Sequence, residues 1–195
     1  MTTTPDSRQA TTSVKIVIAG GFGVGKTTFV GSVSEIQPLT TEAIMTSATA
    51  GVDDLSAVPD KTTTTVAMDF GRVSLDADLI LYLFGTPGQN RFWFMWDDLT
   101  QGAIGAVVLI DTRRLADSFG AIDYFESRNI PFLIAHNEFA GGQAFTADQI
   151  RSALTLRPEI PIVTCDARDR ESTKATLISL VEYALSLLQV TPAQV

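Results

Sequence analysis

An apolar run, Val14-Lys15-Ile16-Val17-Ile18-Ala19, leads straight into Gly20-Gly21-Phe22-Gly23-Val24-Gly25-Lys26-Thr27-Thr28, and a stretch with helical character follows to Glu35. A buried strand, a glycine-rich turn and a helix in that order leave few folds open. The glycines let the backbone curl so that successive N–H groups converge, and the helix that follows adds its positive end. The spacing, Gly, four residues, Gly-Lys-Thr, is that of a loop that cradles phosphates. It predicts Gly21, Gly23, Val24, Gly25, Lys26, Thr27 and Thr28 as phosphate-binding residues. Lys26 reaches the β- and γ-phosphates, and the Thr27 hydroxyl is a ligand for Mg²⁺. An ordinary glycine-rich turn would explain the strand and the helix but not the Lys-Thr pair at this distance.

The chain is 195 residues long and 45% apolar, enough for one domain around one core. It carries 22 acidic and 14 basic residues and a formal charge of -8, which disfavours nonspecific binding to nucleic acid or an anionic membrane. Cys165 is the single cysteine, so no internal disulfide forms and a reducing compartment suits the chain. Met1 to Thr12 is polar and reads as a disordered tail, neither a signal peptide nor a span, and residues 191–195 read as a second tail without a lipidation cysteine. No apolar run reaches the roughly 18 residues of a spanning helix. The expectation is a cytoplasmic protein with no direct membrane anchor.

Between residues 13 and 190 strand-like and helix-like segments alternate. Strands are expected at Val14–Ala19, Thr65–Leu75, Asp78–Gly85, Ile104–Asp111, Asn129–His136 and Ile160–Thr164. A hairpin around Asp76-Ala77 joins the second and third. Helices are expected at Lys26–Glu35, Arg91–Leu99, Leu115–Ser127, Thr146–Leu156 (capped by Thr146, with Asp148 in its first turn) and Ser172–Leu188. Apolar strands separated by helices predict an α/β domain with a mostly parallel six-stranded sheet covered on both faces. Ligands in such sheets bind beyond the carboxyl ends of the strands. Gln37 to Thr64, rich in Thr, Ser and Ala, is too long for a plain connection and reads as functional or mobile.

Thr62-Thr63-Thr64-Thr65-Val66-Ala67-Met68-Asp69-Phe70 and Gly85-Thr86-Pro87-Gly88-Gln89, with the phosphate loop, make residues 13–190 resemble a Ras-like small GTPase. More narrowly, they resemble the actinobacterial conservon GTPases, distant relatives of the bacterial polarity GTPases. The resemblance implies a Mg²⁺-dependent, GTP/GDP-binding molecular switch in intracellular signalling, slow to hydrolyse without a partner. It implies regulators such as a roadblock-type protein or a sensor-kinase-like protein. Thr65, or failing that Thr64, matches the threonine that binds Mg²⁺ and senses the third phosphate. Gly88 matches the glycine facing the γ-phosphate, and Gln89 the glutamine that orients water, with Lys26 as its catalytic companion. Asn137 matches the asparagine of the base motif, and Ala167 the alanine of the last base-contacting loop.

The chain also departs from that pattern. Gly85 stands where an aspartate would hold Mg²⁺ through water, a loss shared with the polarity GTPases, and it predicts weaker metal binding. Glu138 and Ala140 replace the lysine and aspartate of the Asn-Lys-x-Asp motif, which puts guanine selectivity in question; Asp166 is a candidate to take over. No residue stands out as a built-in arginine finger, Arg72 and Arg91 reading as surface charges. His136 reads as structural and Cys165 as a buried small residue. Phe92-Trp93-Phe94-Met95-Trp96 must place part of itself inside, with one or two rings available to a partner. Two rivals remain: a nucleotide-binding module with little hydrolysis and relaxed base choice, and an ATP-using enzyme of the same loop class.

Overall fold

The computed structural model describes residues 11–37, 39–41, 68–76, 78–88, 90–139 and 144–190. The chain order is β1 (Thr12–Ala19), α1 (Lys26–Val33), β2 (Leu39–Thr41), β3 (Met68–Asp76), β4 (Leu79–Gly85), a 3₁₀ stretch (Asn90–Met95), α2 (Trp96–Thr100), β5 (Ala103–Ile110), a second 3₁₀ stretch (Thr112–Ser118), α3 (Phe119–Ser127), β6 (Phe132–Asn137), α4 (Ala147–Leu154), β7 (Ile162–Cys165) and α5 (Arg170–Val190). The sheet order is β2-β3-β4-β1-β5-β6-β7. The six expected strands are all present, and the three-residue β2 adds an edge from the segment read as a loop. β1 pairs in parallel with β4 and β5, and β6 and β7 continue the parallel side. β3 is antiparallel to β4. Its first residues therefore lie at the same edge as the carboxyl ends of β1 and β4.

Alternation along each strand divides the core between the two faces. Ile16, Ile18, Val107, Leu109, Leu133 and Ala135 point to a layer closed by α1 and α5, through Phe29, Val30, Val33, Leu177 and Leu180. Val17, Ala19, Val108, Ile110 and Ile134 point to the other layer, closed by α2, α3 and α4 through Trp96, Tyr124, Phe125, Ile150 and Leu154. Each fully buried Leu, Ile or Phe contributes about 1.5–3 kcal/mol, so the central parallel strands anchor the loops at their ends. Thr146 caps α4 with a full capping box: its side chain accepts from the Gln149 N–H, and Gln149 Oε1 accepts from the Thr146 N–H. Among the described residues no helix is long and apolar enough to cross a membrane.

Several boundaries differ from the sequence expectation. Only Phe119–Ser127 of the segment expected from Leu115 is α-helical; the Asp111 side chain accepts from the Arg113 N–H and starts a 3₁₀ stretch ahead of it. The helix expected over Arg91–Leu99 is likewise 3₁₀ to Met95 and α from Trp96. β1 includes Thr12, which the expected tail had claimed.

Candidate functional site

The loop between β1 and α1 is built as its glycines require. Gly25 has φ of 106°, and a Cβ there would sit 2.7 Å from Asn137 Nδ2. Only glycine combines that backbone with that contact. Lys26, 8% exposed, donates from Nζ to Gly20 O and Gly21 O, 2.8 Å each. Burial lowers its pKa to about 8, against a raising influence from Asp69. Gly88 belongs to the same site, since a Cβ there would lie 2.7 Å from Lys26 Nζ and 2.9 Å from Phe22 Cα. Thr27 and Thr28 are exposed at the head of α1, and Val24 is buried in the core beneath the loop.

Across the cleft the Thr27 hydroxyl donates to Asp69 Oδ2 at 2.7 Å. Asp69 sits one position beyond the Phe70–Phe84 pair of the β3–β4 ladder, beside Gly85. A Cβ on Gly85 would come within 3.1 Å of both Asp69 Cβ and Oδ2. The carboxylate absent from position 85 is thus delivered by the neighbouring strand into the same space. The sequence expectation of weaker metal binding reads along β4 alone; Asp69 of β3 stands beside the position it concerns. Thr86, at the start of the same loop, has a buried hydroxyl oxygen without a hydrogen-bond partner. The Thr27 hydroxyl and the Asp69 carboxylate, 2.7 Å apart, are hard oxygen donors, the type that fits Mg²⁺. Among the described residues no group of three or more His, Cys, Asp or Glu forms a cage. A hard cation here would therefore share its oxygens with phosphates and water, as Mg²⁺ commonly does.

Asn137, 4% exposed, is a brace. Its Nδ2 donates to Val24 O at 2.9 Å and its Oδ1 accepts from the Ala167 N–H at 3.0 Å. The expected base-side residues are brought together, and their polar groups tie the phosphate loop to the β7–α5 loop. Asp166 is committed elsewhere: both of its oxygens receive the Arg168 guanidinium at 2.8 Å, and that pairing pulls its pKa down to about 2. His136 is buried, with Nε2 3.4 Å from Thr112 Oγ1, and burial lowers its pKa, which favours the neutral ring. Burial raises the pKa of the Cys165 thiol, the opposite of what a reactive cysteine needs.

Beside the loop opens a cavity of about 440 Å³, lined among others by Gly21, Phe22, Gly88, Trp93 and Trp96. Trp96 is buried against Tyr124 and Phe125, while Trp93 and Phe94 are exposed, so the aromatic run divides between core and surface. Thr64, Thr65, Gln89 and Ala140 lie outside the described residues. Asp69 and Arg114, whose guanidinium donates to Phe22 O, were not singled out from the sequence. The one available signal for Asp69 was an acid in the middle of a strand of β-formers.

Residues 18–187 match the family described as "Conserved hypothetical ATP binding protein". An uncharacterized protein of Methanocaldococcus jannaschii is 30% identical over 137 residues, which cover 69% of this chain and 76% of that protein. The G domain of the T. maritima FeoB iron transporter has a similar structure, with a TM-score of 0.62 at 18% identity over 89% of this chain and 99% of that domain. At that identity the likeness is one of fold.

Proposed function

The chain belongs to the family described as a conserved hypothetical ATP binding protein; from that premise we propose a Mg²⁺-dependent nucleoside-triphosphate switch with slow hydrolysis as its timer, and we take GTP as its ligand on the resemblance of its loops to those of small GTPases. The observation that carries this reading is the meeting of Lys26, Thr27, Gly88 and Asp69 at the carboxyl edge of β1 and β4. The loop amides and the α1 terminus hold the phosphate tail. Lys26 exchanges its two carbonyl partners for phosphate oxygens. Thr27 and, as the resemblance implies, Thr65 would hold Mg²⁺, with the Asp69 carboxylate beside Thr27 as a further donor, and the ion would supply neutralisation of charge on the β- and γ-phosphates. Thr65 and Gly88 report the third phosphate, and Gln89 orients water. Without a partner the turnover expected of such a site is on the order of 10⁻⁴–10⁻³ per second. A roadblock-type regulator or a sensor-kinase-like protein is the partner the resemblance implies, in a cytoplasmic signalling role.

A second reading, a nucleotide-binding module with relaxed base choice, draws on a specific observation. Asp166 is engaged by Arg168, and the sequence has Ala140 where the resemblance expects an aspartate. Competition between GTP and ATP, with Mg²⁺ titrated, separates the two readings: preference for GTP supports the first, and equal competition the second. Lys26→Ala is expected to abolish retention of either nucleotide; unchanged affinity in that variant refutes the site itself. Single-turnover hydrolysis at equal rates in the wild type and Gln89→Leu would leave only the module.

A further inference from the structure

A cradle of inward-facing amides works only if the carbonyls of the same peptides are turned away and satisfied. The loop meets that requirement with partners from several elements. Gly20 O and Gly21 O accept from Lys26, and Val24 O accepts from Asn137. Gly25 O takes the Phe29 N–H at 2.8 Å, a bond of α1 itself. Phe22 O accepts from Arg114 Nη2 at 2.9 Å. Arg114 lies in the 3₁₀ stretch between β5 and α3, where its own backbone leaves the helical region (φ -139°, ψ 49°). Its guanidinium stands 3.8 Å from each of two carboxylates, Asp111 and Asp117. A Cβ on Gly23 would lie 3.4 Å from Arg114 Nη2, so the guanidinium stands beside the peptide unit that joins Phe22 to Gly23.

We propose that Arg114 is a positioning residue of the nucleotide site: by holding the Phe22 carbonyl on the outer side of the loop, it presents the Gly23 N–H to the polyphosphate. The inference rests on the nucleotide-binding reading and adds the residue that shapes its cradle. The step from carbonyl to amide is geometric, because a trans peptide carries its C=O and N–H on opposite sides. The timing is chemical. Lys26 tethers two carbonyls only until phosphate draws its ammonium away. Arg114 and Asn137 then remain as the side-chain tethers of the loop. Arginine suits the task because its rigid fork serves Phe22 O while facing both carboxylates.

The test compares wild type, Arg114→Ala and Arg114→Lys as full chains, with fluorescent GDP and GTP and with the backbone amide spectrum. Arg114→Ala is expected to weaken both nucleotides by about 5- to 20-fold, the loss of one partly exposed charge-assisted hydrogen bond. The thermal midpoint without nucleotide stays within about 2 °C of wild type, since the side chain is half exposed and buries no orphan when removed. Arg114→Lys recovers part of the affinity. In the wild type the Gly23 amide resonance moves when nucleotide binds, and in Arg114→Ala that response shrinks, a signature that a merely structural surface contact would not give. Affinities within about twofold of wild type, or a Gly23 response to nucleotide equal to that of wild type, overturn the proposal. If the wild type binds neither nucleotide, the functional reading fails and the role of Arg114 fails with it, an outcome distinct from a wild type that binds and a variant that binds equally well.

Discussion

Replacing Asp69 by Asn tests whether the β3 carboxylate belongs to the metal site or merely pins Thr27. Asp69 is 7% exposed and takes the Thr27 hydroxyl at 2.7 Å. A hydrogen bond to a charged group contributes about 1.5–3 kcal/mol and a neutral one about 1 kcal/mol. Asparagine keeps the shape and accepts the same proton, so the bond weakens by about 0.5–2 kcal/mol. Against that loss, the variant no longer buries a charge, which returns a similar amount. Stability without ligands should therefore change by no more than about 1 kcal/mol, or about 2–4 °C. The metal behaves differently. A unit charge about 4 Å from an opposite one is worth about 4 kcal/mol at an effective dielectric of 20, and twice that for a divalent ion. Most of this is cancelled by desolvation. What remains is about 1.4–2.8 kcal/mol, or a 10- to 100-fold rise in the Mg²⁺ needed to retain nucleotide. Release of fluorescent GDP across a Mg²⁺ titration, beside a melt of the ligand-free protein, reads both quantities. The reasoning is refuted if the Mg²⁺ midpoint stays put while the melt collapses. A swap sharpens the test. Gly85→Asp alone crowds two carboxylates into one space and should destabilise, whereas Asp69→Gly with Gly85→Asp should recover the Mg²⁺ dependence.

Three further outcomes follow, two from the burial of Lys26 and one from the cap of α4. The Lys26 pKa falls from 10.5 to about 8 in the fold, so the unfolded chain binds more protons between those values and stability of the ligand-free protein rises with pH across that window, by at most about 3 kcal/mol. Bound phosphate reverses the shift, so nucleotide affinity should fall above pH 8 by up to about tenfold per unit; calorimetry in buffers of different ionisation heat should find proton uptake there, and a flat profile from pH 7 to 9.5 refutes it. Thr146→Ala removes one half of the α4 capping box. It should cost about 1 kcal/mol, seen as a lower denaturant midpoint with an unchanged slope and no effect on nucleotide binding.

The parts of the site that the sequence disclosed are those encoded locally. A phosphate cradle needs consecutive amides and a lysine at a fixed offset, so Gly20 to Thr27 announces itself in one stretch, whereas Asn137, the last residue of β6, is reached only through the family resemblance. The central strands are legible for a similar reason, since β5 and β6 are buried along nearly their whole length and read as apolar runs. Helix starts were less legible. Whether Leu115 begins an α-helix is decided by the Asp111 side chain, which fixes a 3₁₀ turn instead. The aromatic run could be divided only by knowing that Tyr124 and Phe125 of α3 wait for Trp96.

What escaped the sequence are the charged contacts that reach the loop from other elements. Asp69 meets Thr27 from 42 residues away, because β3 runs antiparallel and brings its first residues to the site. Reading along β4 alone, Gly85 is a missing acid. Reading across the ladder, it is the space that the acid of β3 requires. Arg114 repeats the logic: it meets the loop from the β5–α3 link, 92 residues from Phe22. In both contacts a charge arrives from an element that the local sequence of the loop does not point to. The electrostatics of phosphate binding depend on where charge sits in space, and a sheet offers adjacent strands as equivalent mounts for it. The swap of positions 69 and 85 tests that equivalence directly: if the carboxylate works only from β3, then its bond to Thr27, rather than its charge, is what the site requires.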